Sequence, residues 1–204
     1  MKLIGTYLSP FARRVAAALI SRGFSYEHED LNGYVDPERA RALNPVGKVP
    51  VLVLDSGECL IDSAAILDHI NELVAPDQAL VPGAGAGRRI VLRLSAIAVA
   101  ICEQSSARYF EERRANGCCQ PDLLERYRLQ TIGGLRTLDA ASGPEGCIGT
   151  EPLSLATISA VVAFDYARMT HPDLDLPRLA PSLAAVAERL AERAPFARTR
   201  PQSF

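Results

Sequence analysis

Two stretches of this chain set a small polar side chain at the start of a helix. Ser9-Pro10 reads as an N-cap followed by the first helical residue, since a serine oxygen accepts an orphan backbone N–H and proline has none to satisfy. Asp62-Ser63 follows an apolar run and precedes "AAILDHINELV", so it opens a second helix. The free N–H groups and aligned peptide dipoles at such a point favour an anion. Between them stands "GKVPVLV", with Pro50 at the mouth of a strand. Proline cannot donate to a sheet ladder, which confines it to a strand's first residue, an edge, or a tight turn with a cis bond. Lys48, two residues earlier, departs from the chain's own habit: with Lys2 it is one of two lysines against 20 arginines. Further on, Cys102, Ser106, Tyr109 and Arg113 recur at i, i+4, i+7, i+11 and share one helical stripe. That face can bound a small-molecule site, and ordinary helix packing produces the same pattern.

Other chemistries find little support. The five cysteines (Cys59, Cys102, Cys118, Cys119, Cys147) are odd in number and include no CxxC pair, so reduced thiols fit better than a disulfide framework or zinc site. His28, His69 and His171 are scattered without carboxylates or cysteines at ligand spacing, and no metal is expected. A formal net charge of -2 and a pI near 6.0 call for neither nucleic acid nor an anionic membrane. "MKLIGTYLSPFARR" lacks the pattern of a signal peptide, which favours the cytoplasm. The most apolar helical run, "IVLRLSAIAVAIC", is short for a membrane span and carries Arg93, so it reads as core.

The elements that must position these residues follow from the punctuation. "KLIGTYL" is β-prone, and Phe11, Val15 and Leu19 keep helical spacing until Gly23. "FSYEHEDL" alternates like a strand, Asp36-Pro37 opens a helix that ends before Asn44-Pro45, and "VPVLVLDSGECLI" is a hairpin about Asp55-Ser56-Gly57. A helix over 62–74 completes the order β-α-β-α-β-β-α. Domain one is thus expected over 1–78, a Gly/Pro-rich linker over 79–87, and an all-α domain over 88–204, with helices at 88–115, 121–141 and 181–193. "SLATISAVVAFDYARM" is apolar nearly all round and should be the buried central helix, capped by Ser154, with Leu153 and Ile158 as a hydrophobic staple and Thr157 as a weak reciprocal capping partner.

A βαβαββα unit whose third strand opens on a proline has the thioredoxin-like pattern. Followed by a helical half, and carrying Ser9-Pro10-Phe11, "NPVGKVPVL" and "DSAAI" in that order, the whole chain resembles the soluble glutathione transferases. "GEC", the aspartate of "DS", "LATI" and the "FART" tail resemble a bacterial subgroup, and the "SPF" start resembles the serine-type members.

That resemblance implies a role for each residue. The Val49-Pro50 bond would be cis, with the main chain of Val49 facing the cysteinyl part of glutathione as an added strand would. Ser63 and its N–H would take the γ-glutamyl carboxylate, Asp62 the α-amino group, and Lys48 the glycyl carboxylate. Ser9 would hold the glutathione thiolate. Tyr7, close to where other classes place a tyrosine, is the second candidate for that task. Because position 9 is not cysteine, glutathione would be activated as a co-substrate rather than captured in a mixed disulfide. The implied partners are glutathione and a small apolar electrophile, the latter against the Cys102–Arg113 stripe, in a cytoplasmic homodimer. The resemblance leaves open a glutathione-dependent peroxidase or isomerase, and a non-catalytic binding protein of the same fold.

Overall fold

A computed structural model describes residues 1–201, with Asn116 described in its backbone alone. It divides into two compact units, one of Met1–Gly83 together with the segment from Glu192 onward, the other of Ala84–Ala191.

The first unit is a four-stranded mixed sheet with helices against it. Strands β1 (Lys2–Ile4), β2 (Glu27–Glu29), β3 (Val51–Val53) and β4 (Cys59–Leu60) lie in the order β2-β1-β3-β4. β1 runs parallel to β2 and antiparallel to β3, with Ile4 opposite Val51, and β4 is antiparallel to β3. Helices α1 (Pro10–Ser21), α2 (Pro37–Leu43) and α3 (Ser63–Glu72) connect them. The thioredoxin-like order expected from the sequence is the order found. Ser9, Asp36 and Asp62 each cap the following helix through the side chain, as the residue types require. Val15, Leu19, Leu52, Ile66 and Ile70 are wholly or nearly wholly buried.

In the second unit, α4 (Gly85–Glu112) packs on α5 (Pro121–Ala140) and α6 (Leu155–Thr170), followed by α7 (Leu176–Leu179) and α8 (Pro181–Leu190). Helix α6 is the central buried element the sequence requires, with Ile158, Ala160, Val161, Val162 and Ala163 at most 1% exposed. A Cβ on Gly134 of α5 would lie 2.6 Å from Ile101 Cγ1, so the absent side chain is what lets α5 approach α4. α4 is long and apolar enough to cross a membrane by length and composition, but Val91, Leu94, Ala98 and Ile101 are buried inside the unit.

Three expectations are corrected. Helix α4 starts at Gly85 rather than 88, inside the stretch read as linker, and ends at Glu112 rather than 115. The last helix, expected over 181–193, ends at Leu190, and the four-residue helices α7 and α9 (Ala194–Ala197), which flank it in sequence, are too short to show a period. The helical unit does not run from 88 through the C-terminal segment, because α9 packs on α1 and buries Phe196 there. The last three residues, 202–204, lie outside the described residues.

Candidate functional site

Strand polarity gathers the sequence motifs. The chain leaves β1 at Ile4, enters β3 at Val51 directly opposite, and leaves β4 at the same end, because β4 runs back along β3. The loops carrying Ser9, Lys48-Val49-Pro50 and Asp62-Ser63 therefore share one end of the sheet. Their closest joint is at Gly5: a Cβ there would stand 3.0 Å from Ala12 Cβ and 3.1 Å from Val49 Cβ, and its φ of 145° is one that side chains rarely adopt. Glycine is needed at this position to seat α1 and the Val49 loop together.

The Val49-Pro50 bond is cis. Among the described residues no hydrogen bond takes up the backbone N–H or C=O of Val49. The loop before it is organised by Asn44, which is 5% exposed. Its Nδ2 donates to the Lys48 carbonyl at 2.8 Å, its Oδ1 accepts from Val46 N–H at 3.0 Å, and its own carbonyl accepts from Gly47 N–H at 2.7 Å. Lys48 is exposed, and no described carboxylate pairs with its ammonium.

At the start of α3, Asp62 Oδ1 accepts from Ala64 N–H at 2.7 Å. One carboxylate oxygen is thus committed to the cap, and the other has no partner among the described residues. Ser63 is 3% exposed, yet neither its N–H nor its hydroxyl has a partner among the described residues. These donors sit where the helix dipole is positive, which suits a carboxylate.

At the start of α1, Ser9 Oγ accepts from Ala12 N–H at 3.4 Å, a long bond, and Ser9 is half-buried. Phe11 N–H has no acceptor among the described residues. Among the described residues no acceptor takes the hydroxyl proton of Ser9. Tyr7, by contrast, is engaged elsewhere: its hydroxyl lies 3.0 Å from that of Tyr26, and its ring stacks on His28 with centroids 4.1 Å apart. Burial holds the Tyr26 hydroxyl well above the usual phenol range, and its bond to Tyr7 adds to the effect.

The stripe on α4 is less open than its spacing implies. Cys102 is buried, Ser106 Oγ lies 2.9 Å from the Tyr166 hydroxyl on α6, and the Arg113 guanidinium sits 3.6 Å from the Tyr109 ring centroid while Nη1 donates to the Tyr109 carbonyl. All four residues lie in the second unit. Sequence reasoning read Asn44 only as a helix stop and His28 only as no metal ligand, and it passed over Tyr26, whose i, i+2 spacing with His28 in "FSYEHEDL" puts the two on one side of the extended segment that includes β2.

A thioredoxin-like unit with two capped helix starts and a cis-proline loop at one end of its sheet, followed by a helical unit, has the architecture of the glutathione S-transferase fold. Residues 3–78 match the glutathione S-transferase N-terminal domain family. Over 205 residues the chain is 34% identical to the uncharacterized GST-like protein YibF of Escherichia coli (strain K12), with 98% of each chain covered. It is similar, with TM-score 0.91 and 28% identity over 100% of this chain and 95% of that one, to a glutathione S-transferase of Methylobacterium radiotolerans in complex with glutathione sulfonate. A glutathione S-transferase of Methylobacillus flagellatus with glutathione bound gives TM-score 0.90 and 28% identity, covering 98% of this chain and 99% of that one. This chain belongs to the glutathione S-transferase family.

Proposed function

We propose that the protein is a glutathione transferase that binds glutathione at the loop end of its sheet and promotes the thiolate for attack on small apolar electrophiles. The observation that carries this reading is the set of polar groups left open at that end: the N–H and hydroxyl of Ser63, the main chain of Val49, and the hydroxyl of Ser9. Their chemistry matches the parts of glutathione. Ser63 takes the γ-glutamyl carboxylate, the free oxygen of Asp62 the α-amino group, Val49 the cysteinyl backbone, and Lys48 the glycyl carboxylate. Ser9, at the positive end of α1, donates to the thiolate. A free thiol titrates near about 8.5, and only the thiolate is a strong nucleophile. One charge-assisted hydrogen bond with a helix end supplies the roughly 2.7 kcal/mol that lowering this value by about two units requires.

The protein acts as a cytoplasmic homodimer in this reading, through α3 and α4. Sedimentation at micromolar concentration is expected to give twice the chain mass of 22.0 kDa.

The decisive measurement is the ultraviolet absorbance of thiolate when glutathione is mixed with the protein across a pH series. A bound thiol titrating well below the free one supports activation. A bound thiol titrating as in free solution makes the protein a glutathione binder without this chemistry. Turnover assays with an aryl halide, an organic peroxide and a cis-dienoic acid then separate conjugation from peroxide reduction and isomerisation.

A further inference from the structure

We infer that His28, on the edge strand β2, is a positioning residue for Ser9. The inference rests on the reading of Ser9 as the thiolate's donor. His28 Nε2 lies 2.8 Å from the carbonyl oxygen of Gly5. A carbonyl only accepts, so Nε2 carries the proton and donates. The other end of the same peptide plane is held as well, where Thr6 N–H donates to the Leu31 carbonyl at 2.9 Å. The Gly5–Thr6 plane is therefore pinned at both ends, by His28 of β2 and by Leu31 just beyond it.

This plane matters because of what it joins. Gly5 has no side chain to restrict its backbone, so its plane rotates readily unless hydrogen bonds stop it. The next carbonyl, of Thr6, accepts the N–H of Ser9 at 3.0 Å, and Thr6 Oγ1 accepts the N–H of Leu8 at 3.3 Å. An unbroken series of bonds thus runs from the His28 ring through Gly5 and Thr6 to the backbone of Ser9. The Tyr7 ring, from the same loop, stacks on His28 at an interplanar angle of 3°. On its helix side Ser9 is held by α1, whose Arg13 N–H donates to the Ser9 carbonyl at 2.9 Å, while its hydroxyl makes only the 3.4 Å cap bond, so this series sets the residue from the loop side.

Two substitutions separate the bond from the stacking. His28→Phe keeps a ring against Tyr7 and removes the donor, whereas His28→Gln keeps an N–H donor and removes the ring. The expected result is that His28→Phe and His28→Ala speed amide hydrogen exchange at Thr6 and Ser9, raise the bound thiol's pKa, and lower kcat near neutral pH by about tenfold, with glutathione affinity within about twofold of wild type. His28→Gln restores both exchange protection and pKa. If His28→Phe matches wild type in exchange, the ring and not the bond holds the loop, and the inference is overturned. Equal loss of thermal stability in all variants with an unchanged thiol pKa overturns it as well. A wild-type thiol that titrates as in free solution would instead remove the Ser9 reading, and the exchange data would still decide whether His28 holds the loop.

Discussion

Helices α1 and α6 both begin on a serine, and the two caps are built for different ends. Ser154 Oγ accepts from Thr157 N–H at 3.2 Å and lies 3.3 Å from Thr157 Oγ1, which in turn accepts from Gly149 N–H at 3.0 Å. Thr157 is wholly buried. Its hydroxyl serves Gly149 rather than returning to the cap's own N–H, which departs from the reciprocal arrangement expected of it. Ser154 thus closes a set in which the polar groups answer one another. The Ser9 hydroxyl has one bond of 3.4 Å, and the residue has partial exposure and beside it, at Phe11, an N–H with no described acceptor. A closed cap stabilises a fold, and an open one leaves a donor for a ligand. The same residue type, at the same place in a helix, does either, and the partners decide which.

The contrast extends to pH. In the helical unit, His171 caps the C-terminal end of α6 with its side chain 0% exposed, and burial pushes its pKa down to about 4, with Arg108 adding to the shift. Its Nδ1 lies 3.1 Å from Thr170 Oγ1, and Nε2 has no partner among the described residues. An unfolded histidine titrates near 6.5, so between that pH and about 4 the unfolded chain binds the extra proton. The stability contribution is complete above about pH 6.5, falls as pH drops, and is gone below about 4, a loss of roughly 3 kcal/mol at most. Urea midpoints at pH 7.5 and 4.5 should therefore differ more in wild type than in His171→Phe. Equal differences would show that His171 carries none of the acid sensitivity.

The open cap should give its pH dependence to activity instead. Ser9→Ala is expected to raise the bound thiol's pKa by somewhat less than about two units, the larger part of roughly 2.7 kcal/mol, because the start of α1 still acts on the thiolate, with turnover falling near neutral pH and recovering in alkali. Binding should change little, because the hydroxyl acts mainly on the thiolate. A pH-rate profile that is unchanged in Ser9→Ala but shifted in Tyr7→Phe would reverse the ranking of the two donors, despite the commitment of Tyr7 to Tyr26.

These local motifs were legible because each is complete within a few residues: a cap with its proline, a proline before a strand, an Asp-Ser after one. The order βαβαββα was legible for the same reason, from Ser9-Pro10, Asp36-Pro37 and Gly57. What stayed hidden depends on partners far along the chain. His28 meets Gly5 across 23 residues, and α9 returns to α1 from beyond the whole helical unit, so neither contact leaves a local period. Asn44 was visible as a helix stop, but its two side-chain bonds into the following loop come from that loop's conformation. The stripe from Cys102 to Arg113 kept its helical spacing while Ser106 and Arg113 found partners of their own.

Anchoring is separable from activation within the first unit. Ser63→Ala removes a buried hydroxyl that no described protein group uses, so folding should be little affected. Glutathione affinity should fall about ten- to a hundredfold, from the loss of roughly 1.5–3 kcal/mol in one charge-assisted hydrogen bond. Isothermal titration reads this directly, and the thiol pKa of whatever glutathione still binds should stay at the wild-type value. A raised pKa without weaker binding would mean that the two helix starts do not divide the work in this way.

The smallest expected effect is the one that tests the comparison of caps most directly. Ser154→Ala leaves Thr157 Oγ1 bonded to Gly149 N–H but orphans the N–H of Thr157 in a buried turn. Loss of a serine N-cap costs about 1 kcal/mol, which for a chain of this size lowers Tm by about 2–4 °C. Ser9→Ala should cost less, since its bond to Ala12 is longer and water can reach the turn in its place. The bound thiol's pKa should be unchanged in Ser154→Ala and raised in Ser9→Ala, while Tm moves the other way round. Calorimetry and thiolate absorbance on the same two variants read both quantities. Should Ser9→Ala prove the more destabilising and leave the thiol unmoved, Ser9 is a closed cap like Ser154, and the thiolate's donor must be found elsewhere on the loop.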